Sequence, residues 1–335
     1  MKRIYLLFIP FLMLFQNCSE QKEYITLIGE TQGTTYSIIY QQPDMKDFKV
    51  EIDSILKEFD MTASSWIEES IISRVNKNDS TVVINQHFKE IFAKSMEISE
   101  ASDGMFDITI APIIDVFGFG ATEKTAVDSA MIDSLLDFVG YKKIRIVGDK
   151  VVKDNPSVQI DYAAIAQGFS VDVICDFLAE QDCENYLVEI GGEVRTAGKN
   201  PSNKDWSVGV DKPIEQSETL DREIQAIIKL SDKALATSGN YRKFYEENGI
   251  KFSHTFNPKT GYPVRSKLLS ATILADDCMS ADGYATACMV VGLEKAIKLI
   301  ESIDGMEAYF IYAQDDGSYG EYFTKGMKDL ILEVK

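Results

Sequence analysis

Two oxygen-bearing side chains, Asp282 and Thr286, stand four residues apart at the start of a predicted helix. A spacing of four places both side chains on the same helix face. A carboxylate and a hydroxyl are hard oxygen donors of the kind that Mg²⁺ takes as ligands. The same pattern suits a capping aspartate followed by a threonine that bonds back to its own helix, so the spacing alone leaves both interpretations open.

Two further turns could contribute backbone groups to such a site. Asp161 follows a predicted strand and precedes a predicted helix, and carbonyls in a turn of this kind are able to ligate a cation. An N-cap aspartate is the alternative. Gly191 and Gly192 follow another predicted strand, where paired glycines let a second group approach the backbone closely. No helix is predicted after them, so they do not form a dinucleotide-binding fingerprint, and an ordinary turn is the alternative.

The chain has only two histidines, and His254 is the better candidate for a general base. It stands just before residues 257–261, whose Asn-Pro and Thr-Gly pairs predict a tight turn. His87 stands at a predicted helix start, where an exposed histidine is unremarkable. A structural role for His254 is the alternative.

Several aromatic side chains could stack on a flat ligand, with core packing as the alternative for each. They are Tyr36, Trp66, Phe106, Phe117 and Phe119. The run from Phe117 to Gly120 alternates phenylalanine with glycine, which is unusual for a core because it leaves two rings on flexible backbone.

Apolar periodicity divides the chain into helices and strands. Helices are predicted over residues 50–59, 88–96, 132–139, 164–178 and 279–302. Strands are predicted over residues 24–29, 35–40, 144–147, 158–160, 186–190, 206–210, 224–228, 268–274 and 307–312. Because the two kinds of element mix without strict alternation, the pattern favours an α+β fold with antiparallel sheets backed by helices.

The balance of charge limits the classes of ligand. Among 335 residues, 34 are Lys or Arg and 53 are Asp or Glu, which gives a net charge of −19. This excess of acidic residues argues against a general nucleic-acid binder. An anionic ligand would need a local metal ion or a cluster of backbone N–H groups.

The N-terminus has the pattern of an exported protein. Two basic residues precede an almost unbroken apolar run from Ile4 to Phe15, which is too short to span a membrane comfortably. The pattern predicts a signal peptide over residues 1–17, lipidation of Cys18 and a tether over residues 18–25. An ordinary secretion signal with an incidental cysteine is the alternative.

Four further cysteines show no spacing typical of a zinc site, and we expect them to be buried or inert thiols. They are Cys175, Cys183, Cys278 and Cys288. Helical rise would separate the last two by roughly 15 Å, which is too far for a disulfide.

In the order in which they occur, these segments resemble the FAD:protein FMN transferase family, the ApbE flavin-transferase lipoproteins. The resemblance extends from about Thr31 to Gly292. Its motifs are Gly33-Thr34-Thr35-Tyr36, Ser65-Trp66 with Ser70 and Ser73-Arg74-Val75-Asn76, Phe106-Asp107-Ile108-Thr109, Phe117-Gly118-Phe119-Gly120, the Asp161 turn, Gly191-Gly192-Glu193, Ser238-Gly239-Asn240-Tyr241, the His254 turn and the Asp282–Thr286 helix.

The resemblance implies an FAD-binding α+β fold of two related β-α-β halves, with residues 26–335 as the flavin-transferase domain. It implies Mg²⁺ at the FAD pyrophosphate, held by Asp282, Thr286 and the Ala164 carbonyl, with His254 assisting catalysis. The FAD contacts that it implies are Gln32, Trp66, Phe117, Gly118, Phe119, Asp161, Gln167, Gly191, Gly192 and Phe256.

By the same resemblance, the protein would transfer FMN from FAD to a Ser or Thr hydroxyl of a target protein and release AMP. The target would be a flavin-bearing subunit of a membrane redox pump. The enzyme would be lipid-anchored on the periplasmic side of the inner membrane. Two alternatives stay open, namely a Mg²⁺-dependent FAD pyrophosphatase and a non-enzymatic flavin-binding lipoprotein.

Three residues depart from the family pattern. Phe117 replaces a tryptophan, so it loses the indole N–H while keeping a ring that packs. Gln167 stands where many members have lysine, and it is able only to hydrogen-bond to phosphate. Asn257 replaces a common aspartate after the His254 turn.

Overall fold

The computed structural model describes residues 23–120, 127–212, 223–240, 244–247, 250–253 and 255–334. The signal peptide predicted over residues 1–17, the lipidation site at Cys18 and His254 lie outside these residues, so they stay predictions.

Fifteen strands, numbered in chain order, occur in the described part of the chain. They are β1 (Ile25–Thr31), β2 (Thr34–Gln41), β3 (Ile144–Val147), β4 (Lys150–Lys153), β5 (Asn185–Ile190), β6 (Glu193–Ala197), β7 (Trp206–Asp211), β8 (Ile224–Leu230), β9 (Ala234–Gly239), β10 (Phe244–Glu247), β11 (Ile250–Ser253), β12 (Leu268–Ala275), β13 (Glu307–Ala313), β14 (Tyr319–Phe323) and β15 (Ile331–Val334).

Nine α-helices occur in the same residues, together with single 3₁₀ turns at Ile108–Ile110 and Tyr141–Lys143. The helices are α1 (Lys49–Ala63), α2 (Ile71–Asn76), α3 (Gln86–Ala101), α4 (Ala111–Val116), α5 (Ser129–Leu136), α6 (Ala166–Glu180), α7 (Cys278–Val291), α8 (Leu293–Glu301) and α9 (Lys325–Leu330).

Eight of the strands form one large sheet in the order β1-β2-β5-β6-β9-β12-β13-β14. Every neighbouring pair in this sheet is antiparallel. A smaller sheet has the order β15-β8-β7, and β3–β4 and β10–β11 are separate hairpins. The structure therefore confirms the α+β class with antiparallel sheets backed by helices.

The two faces of the large sheet have different partners, because successive side chains of a strand point to opposite sides. Ile273 of β12 and Phe310 of β13 pack into the core that contains α3, α7 and α8. Their chain neighbours Leu274 and Ile311 pack against β7, β8 and α9. The large sheet is thus covered by helices on one face and mainly by the small sheet on the other.

Two predicted elements are wrong. Residues 158–160 do not form a strand, because the Asn76 side chain supplies the bonds that a strand neighbour would give, with its amide bonded to both the N–H and the carbonyl of Ile160 at 2.8 Å. The helix predicted over residues 279–302 is two helices, because Gly292 adopts a φ of 79° and ends α7 before α8 begins.

The four cysteines of the described residues are free and buried, as the sequence predicts. Across those same residues, we find no helix that combines the length and the apolarity needed to cross a membrane.

Candidate functional site

Asp161 holds the turn that leads into α6. Its Oδ1 accepts a hydrogen bond from the Ala163 N–H at 2.6 Å, and its own N–H donates to the Ile108 carbonyl at 2.8 Å. Because α6 begins at Ala166 with Ile165 in the N-cap position, the N-cap interpretation of Asp161 is wrong. Burial raises the pKa of the Asp161 carboxyl.

Asp282 bridges α7 to the first turn of α6. Its Oδ2 accepts a hydrogen bond from the Gly168 N–H at 2.9 Å, and the side chain is buried. Gly168 permits this approach, because a Cβ there would lie 2.7 Å from the Asp282 Cβ and would collide with the Cys278 carbonyl oxygen. The N-cap of α7 is Asp277, so the interpretation of Asp282 as a cap of its own helix is also wrong.

Thr286 lies one helical turn after Asp282 and faces the large sheet. Its hydroxyl is 3.2 Å from that of Ser238, near the end of β9. Between the two ligand candidates, a Cβ on Gly283 would lie 3.2 Å from the Ile165 Cδ1. This packing places the turn that contains Ala164 and Ile165 against the part of α7 that carries Asp282.

The turn between β5 and β6 closes over Gln167. The Gln167 Nε2 donates to the Ile190 carbonyl at 3.0 Å and also to the Glu193 carboxylate. Gly191 has a φ of 63°, and a Cβ on it would collide with the Gln167 amide, so glycine is required there. Gly192 is exposed and has no atom within 4 Å of an added Cβ, which leaves room for a ligand above the backbone.

We define the inner cluster as Gln167, Gly168, Gly191, Asp282 and Thr286. Two carboxyls in and beside it have raised pKa values. Burial and, secondarily, the negative charge of Asp282 raise the pKa of Glu193. Burial also raises the pKa of Asp282, although the Gly168 N–H favours its ionised form. A divalent cation bound here would favour the ionised form of both carboxyls and so lower these pKa values.

Gln32, at the tip of the β1–β2 hairpin, supplies an unsatisfied hydrogen-bond donor. Its Nε2 is buried without a partner among the described residues, whereas its Oε1 accepts from the Ser170 hydroxyl at 3.4 Å. A buried donor without a partner costs free energy. An oxygen of a bound ligand would satisfy it, which supports the prediction that Gln32 contacts the ligand.

Three phenylalanine rings form a second group, which we define as the ring cluster: Phe117, Phe119 and Phe256. The Phe256 centroid is 5.0 Å from that of Phe117 and 5.8 Å from that of Phe119. Phe117 and Phe256 are buried with apolar side chains of α4 and α5, while Gly118 is exposed at a φ of 78°. Packing therefore accounts for all three rings, although Phe119 is only partly buried against the others.

Trp66 occupies the loop between α1 and α2, and 71% of its surface is exposed. The backbone N–H of Trp66 donates to the Ser64 hydroxyl at 3.3 Å, and the neighbouring Ser65 hydroxyl donates to the Asp161 Oδ2 at 3.4 Å. The backbone of this loop is thus attached to the turn before α6, while the indole ring is free to meet a ligand.

The donors present fit both groups that the resemblance implies. The Asp282 carboxylate, the Thr286 hydroxyl and the Ala164 carbonyl are oxygen donors that suit Mg²⁺, which keeps its other positions for water and substrate phosphate. The open backbone at Gly192 and the unpaired Gln32 donor fit an extended polar ligand. In the described ranges, no three His, Cys, Asp or Glu side chains group as metal ligands.

Contacts bring several of the predicted site residues together, in two separate groups. Gln167 meets Gly191, Asp282 meets Gly168 at the start of α6, and the rings of Phe117, Phe119 and Phe256 meet one another. Tyr36 and Phe106 are core residues instead. Sequence reasoning missed Ser238 and Glu193 as site residues, although both stand inside motifs that it noted.

The departure at Asn257 leaves its turn intact. The Asn257 Oδ1 accepts from the Lys259 N–H at 2.8 Å, and its carbonyl accepts from the Gly261 N–H at 2.8 Å. An aspartate would accept the same side-chain bond, so the exchange costs the turn nothing that the structure shows.

Comparison with known proteins agrees with the resemblance. The profile of the ApbE family matches residues 32–310 of the chain. The FAD:protein FMN transferase of Vibrio cholerae is 33% identical over 338 residues, which cover 98% of this chain and 99% of that protein. The FAD:protein FMN transferase of Haemophilus influenzae is 34% identical over 315 residues, which cover 90% of each chain.

Solved structures show the same similarity. The flavin transferase ApbE from Vibrio cholerae superimposes with a TM-score of 0.83 at 33% identity, covering 92% of this chain and 99% of that one. The apo form of the flavinyl transferase ApbE from Pseudomonas stutzeri gives a TM-score of 0.80 at 28% identity, with coverage of 92% and 96%.

Proposed function

This chain belongs to the ApbE family, and on that premise we propose that it transfers FMN from FAD to a Ser or Thr hydroxyl of another protein. The observation that carries the proposal is the bond between the Asp282 carboxylate and the Gly168 N–H, which holds a carboxylate near the turn at Ala164. The relatives named as FAD:protein FMN transferases support the reaction class.

We assign Asp282, Thr286 and the Ala164 carbonyl to a Mg²⁺ ion at the pyrophosphate of FAD. When bound, the ion would neutralise charge on the pyrophosphate and on the departing AMP. The chain carries a net charge of −19, so the local positive charge would also explain how an acidic protein holds an anionic substrate.

Other residues would bind and orient FAD. The Gln32 Nε2 gains an acceptor, and the open backbone at Gly192 admits the substrate closely. Trp66 and the ring cluster offer aromatic surface to the flavin ring. Asp161 would contact FAD from the turn before α6, where its carboxylate accepts a hydrogen bond from Ser65 in the Trp66 loop.

The chemical step is a displacement at phosphorus. The acceptor hydroxyl oxygen bonds to the phosphorus that carries FMN, and the bond from that phosphorus to the oxygen of AMP breaks. AMP leaves with that oxygen, and the hydroxyl proton passes to His254, directly or through water. The role of His254 rests on the resemblance, since its position lies outside the described residues.

We further propose that the acceptor is a flavin-bearing subunit of a membrane redox pump. The enzyme would reach it from the periplasmic side of the inner membrane, anchored by lipid on Cys18. Both statements rest on the N-terminal sequence pattern and on the resemblance.

Intact-protein mass spectrometry tests the reaction directly. The full chain is incubated with FAD, Mg²⁺ and an acceptor domain that carries a target threonine, and then with the same domain in which valine replaces that threonine. We expect the threonine domain alone to gain the mass of one FMN, with one AMP released per transfer and loss of the reaction in EDTA.

A matched pair of variants locates the metal. Asp282→Asn should abolish most of the transfer, whereas Asp276→Asn, an exposed position just before the same helix, should leave the rate unchanged. Free FMN and AMP with an unmodified acceptor would instead establish a pyrophosphatase. Tight FAD binding that chelator does not weaken, with no AMP formed, would establish a flavin carrier.

A further inference from the structure

The first two N–H groups of α7 bond to a carboxylate of α6. The Cys278 N–H donates to the Asp172 Oδ1 at 2.9 Å, and the Met279 N–H donates to the Asp172 Oδ2 at 2.8 Å. Asp172 lies in the middle of α6 and is buried. These two donors have no partner within their own helix, so the carboxylate satisfies groups that would otherwise be buried and unpaired.

The hydrogen bonding between the two helices is reciprocal. Asp172 of α6 accepts from the start of α7, and Asp282 of α7 accepts from the Gly168 N–H in the first turn of α6. Each helix therefore supplies a carboxylate to the N-terminal donors of the other, where the helix dipole also favours negative charge. Both the spacing and the relative rotation of the two helices are fixed by these bonds.

Arg195 connects the same carboxylate to the large sheet. Its Nη1 lies 2.9 Å from the Asp172 Oδ1 and 3.5 Å from the exposed Asp176 Oδ1. Arg195 is on β6, the strand that follows Gly191 and Gly192. Asp172 thus joins three elements, and each of them carries part of the candidate site.

We propose that Asp172 is a positioning residue that holds Asp282 and Thr286 at the correct distance from the Ala164 carbonyl for a divalent metal ion. The inference rests on the proposed function, since it concerns the metal site of that reaction. Asp172 does not touch the metal or FAD in this scheme, and its effect passes through the start of α7.

Asp172 supplies two acceptor oxygens to α7 and a negative charge to Arg195. An asparagine keeps one oxygen and turns an amino group toward a backbone N–H that needs an acceptor, so one end of the α6–α7 contact would open. A glutamate keeps both oxygens on a side chain longer by one methylene, which restores the bonds in part. Asp176 offers a matched control, because it is exposed on the same helix and contacts the same arginine.

Mn²⁺ binding gives a readout that is independent of catalysis, and the electron paramagnetic resonance signal of the free ion measures it. We expect Asp172→Asn to raise the Mn²⁺ dissociation constant by about tenfold or more, Asp172→Glu to raise it less, and Asp176→Asn to leave it unchanged. In the transfer assay, the Mg²⁺ activation constant should rise in the same order, while kcat at saturating Mg²⁺ changes little. Thermal unfolding checks that each variant is folded. If Asp172→Asn does not fold, Mn²⁺ binding by Asp172→Glu tests the inference.

Wild-type Mn²⁺ binding by the Asp172 variants would overturn the inference, even if their melting temperatures fall, because the role would then be structural only. A wild-type protein that binds no Mn²⁺ and transfers FMN in EDTA would overturn the metal assignment of the proposed function and the inference with it. The wild-type arm therefore separates the two failures.

Discussion

The inner cluster and the ring cluster are the two groups into which most of the predicted ligand-binding residues fall, and they are held in different ways. In the inner cluster, Asp282 and Gln167 bond to backbone groups of neighbouring elements. In the ring cluster, the phenylalanines contact one another and apolar side chains of α4 and α5. One part is fixed by directional bonds and the other by packing.

Because the two clusters are held differently, they should tolerate different structural changes. Hydrogen bonds to fixed backbone groups allow little change in distance or angle, whereas ring contacts keep their value over several arrangements. Metal and phosphate binding should therefore be sensitive to small backbone shifts. Binding of the flavin ring should depend instead on how much aromatic surface is present.

The largest effect should come from Gly168→Ala, which forces α6 and α7 apart. The added methyl would collide with the Cys278 carbonyl oxygen and crowd Asp282, so the oxygen ligands move from their positions. We expect the transfer rate to fall by about 100-fold or more and the melting temperature to drop. The transfer assay and calorimetry measure the two effects.

Gly283→Ala is the matched control, because its methyl would meet only the side-chain ends of Ile98 and Ile165, which are able to shift. It should lose less activity and stability than Gly168→Ala. A Gly168→Ala variant with the wild-type rate would show that the inner cluster is not held as rigidly as its bonds indicate.

Trp66→Ala should weaken FAD binding without weakening the fold. The ring is 71% exposed, so its removal should change the free energy of unfolding by no more than about 0.5 kcal/mol. Loss of one aromatic contact should raise KM for FAD about five- to tenfold while kcat changes little. Tyr319→Ala, which removes an exposed ring from β14, is the control. An unchanged KM in Trp66→Ala would remove this residue from the flavin site.

A smaller gain should follow Gln167→Lys, which places a positive charge in the inner cluster. The Gln167 Nε2 already donates to Glu193 and to the Ile190 carbonyl, so an ammonium group has partners there. Charge-assisted bonds to substrate phosphate should lower KM for FAD about threefold. Gln181→Lys, at the end of the same helix, controls for the added charge. A higher KM would indicate that Glu193 alone takes up the new charge.

The smallest effect concerns pH. Burial raises the pKa of Asp172 to about 6 from its ordinary value of 3.8, and the pKa values of Asp282 and Glu193 are raised as well. The folded chain then binds more protons than the unfolded chain between the ordinary and the raised values, so stability increases as pH falls through that window. Ion-paired carboxyls such as Asp205, whose pKa is lowered to about 2 by bonds to Lys199 and Lys229, titrate below that window.

In metal-free buffer, we expect the melting temperature to be a few degrees higher at about pH 5.5 than at about pH 8. Asp282→Asn should narrow the gap, because it removes one of the groups whose pKa is raised. A melting temperature that falls on acidification would contradict the expected protonation of these buried carboxyls.

Much of the fold is predictable because periodicity is local. The alternation in β7 and β8 and the helical spacing in α1 and α3 are sufficient to identify those elements. The failure at residues 158–160 has a distant cause, since Asn76, 84 residues earlier, takes the backbone bonds of Ile160. Similarly, the single glycine that divides α7 from α8 did not disturb the apolar pattern on either side of it.

The candidate site is predictable only in part for the same reason. A spacing of four correctly places Asp282 and Thr286 on one helix, but the Gly168 N–H that fixes Asp282 is 114 residues away in sequence. Asp172 gave no signal, because one aspartate within an apolar helix face does not reveal which donors it meets. Those donors belong to a helix that begins 106 residues later.

The large sheet has one further property that bears on how the chain folds. Its spatial order, β1-β2-β5-β6-β9-β12-β13-β14, is also the order in which its strands occur in the chain. A chain growing from its N-terminus is thus able to add each strand to an edge that already exists, without reopening an earlier pair. We expect assembly during synthesis to run in one direction from the β1–β2 hairpin, with β14 the last edge to close.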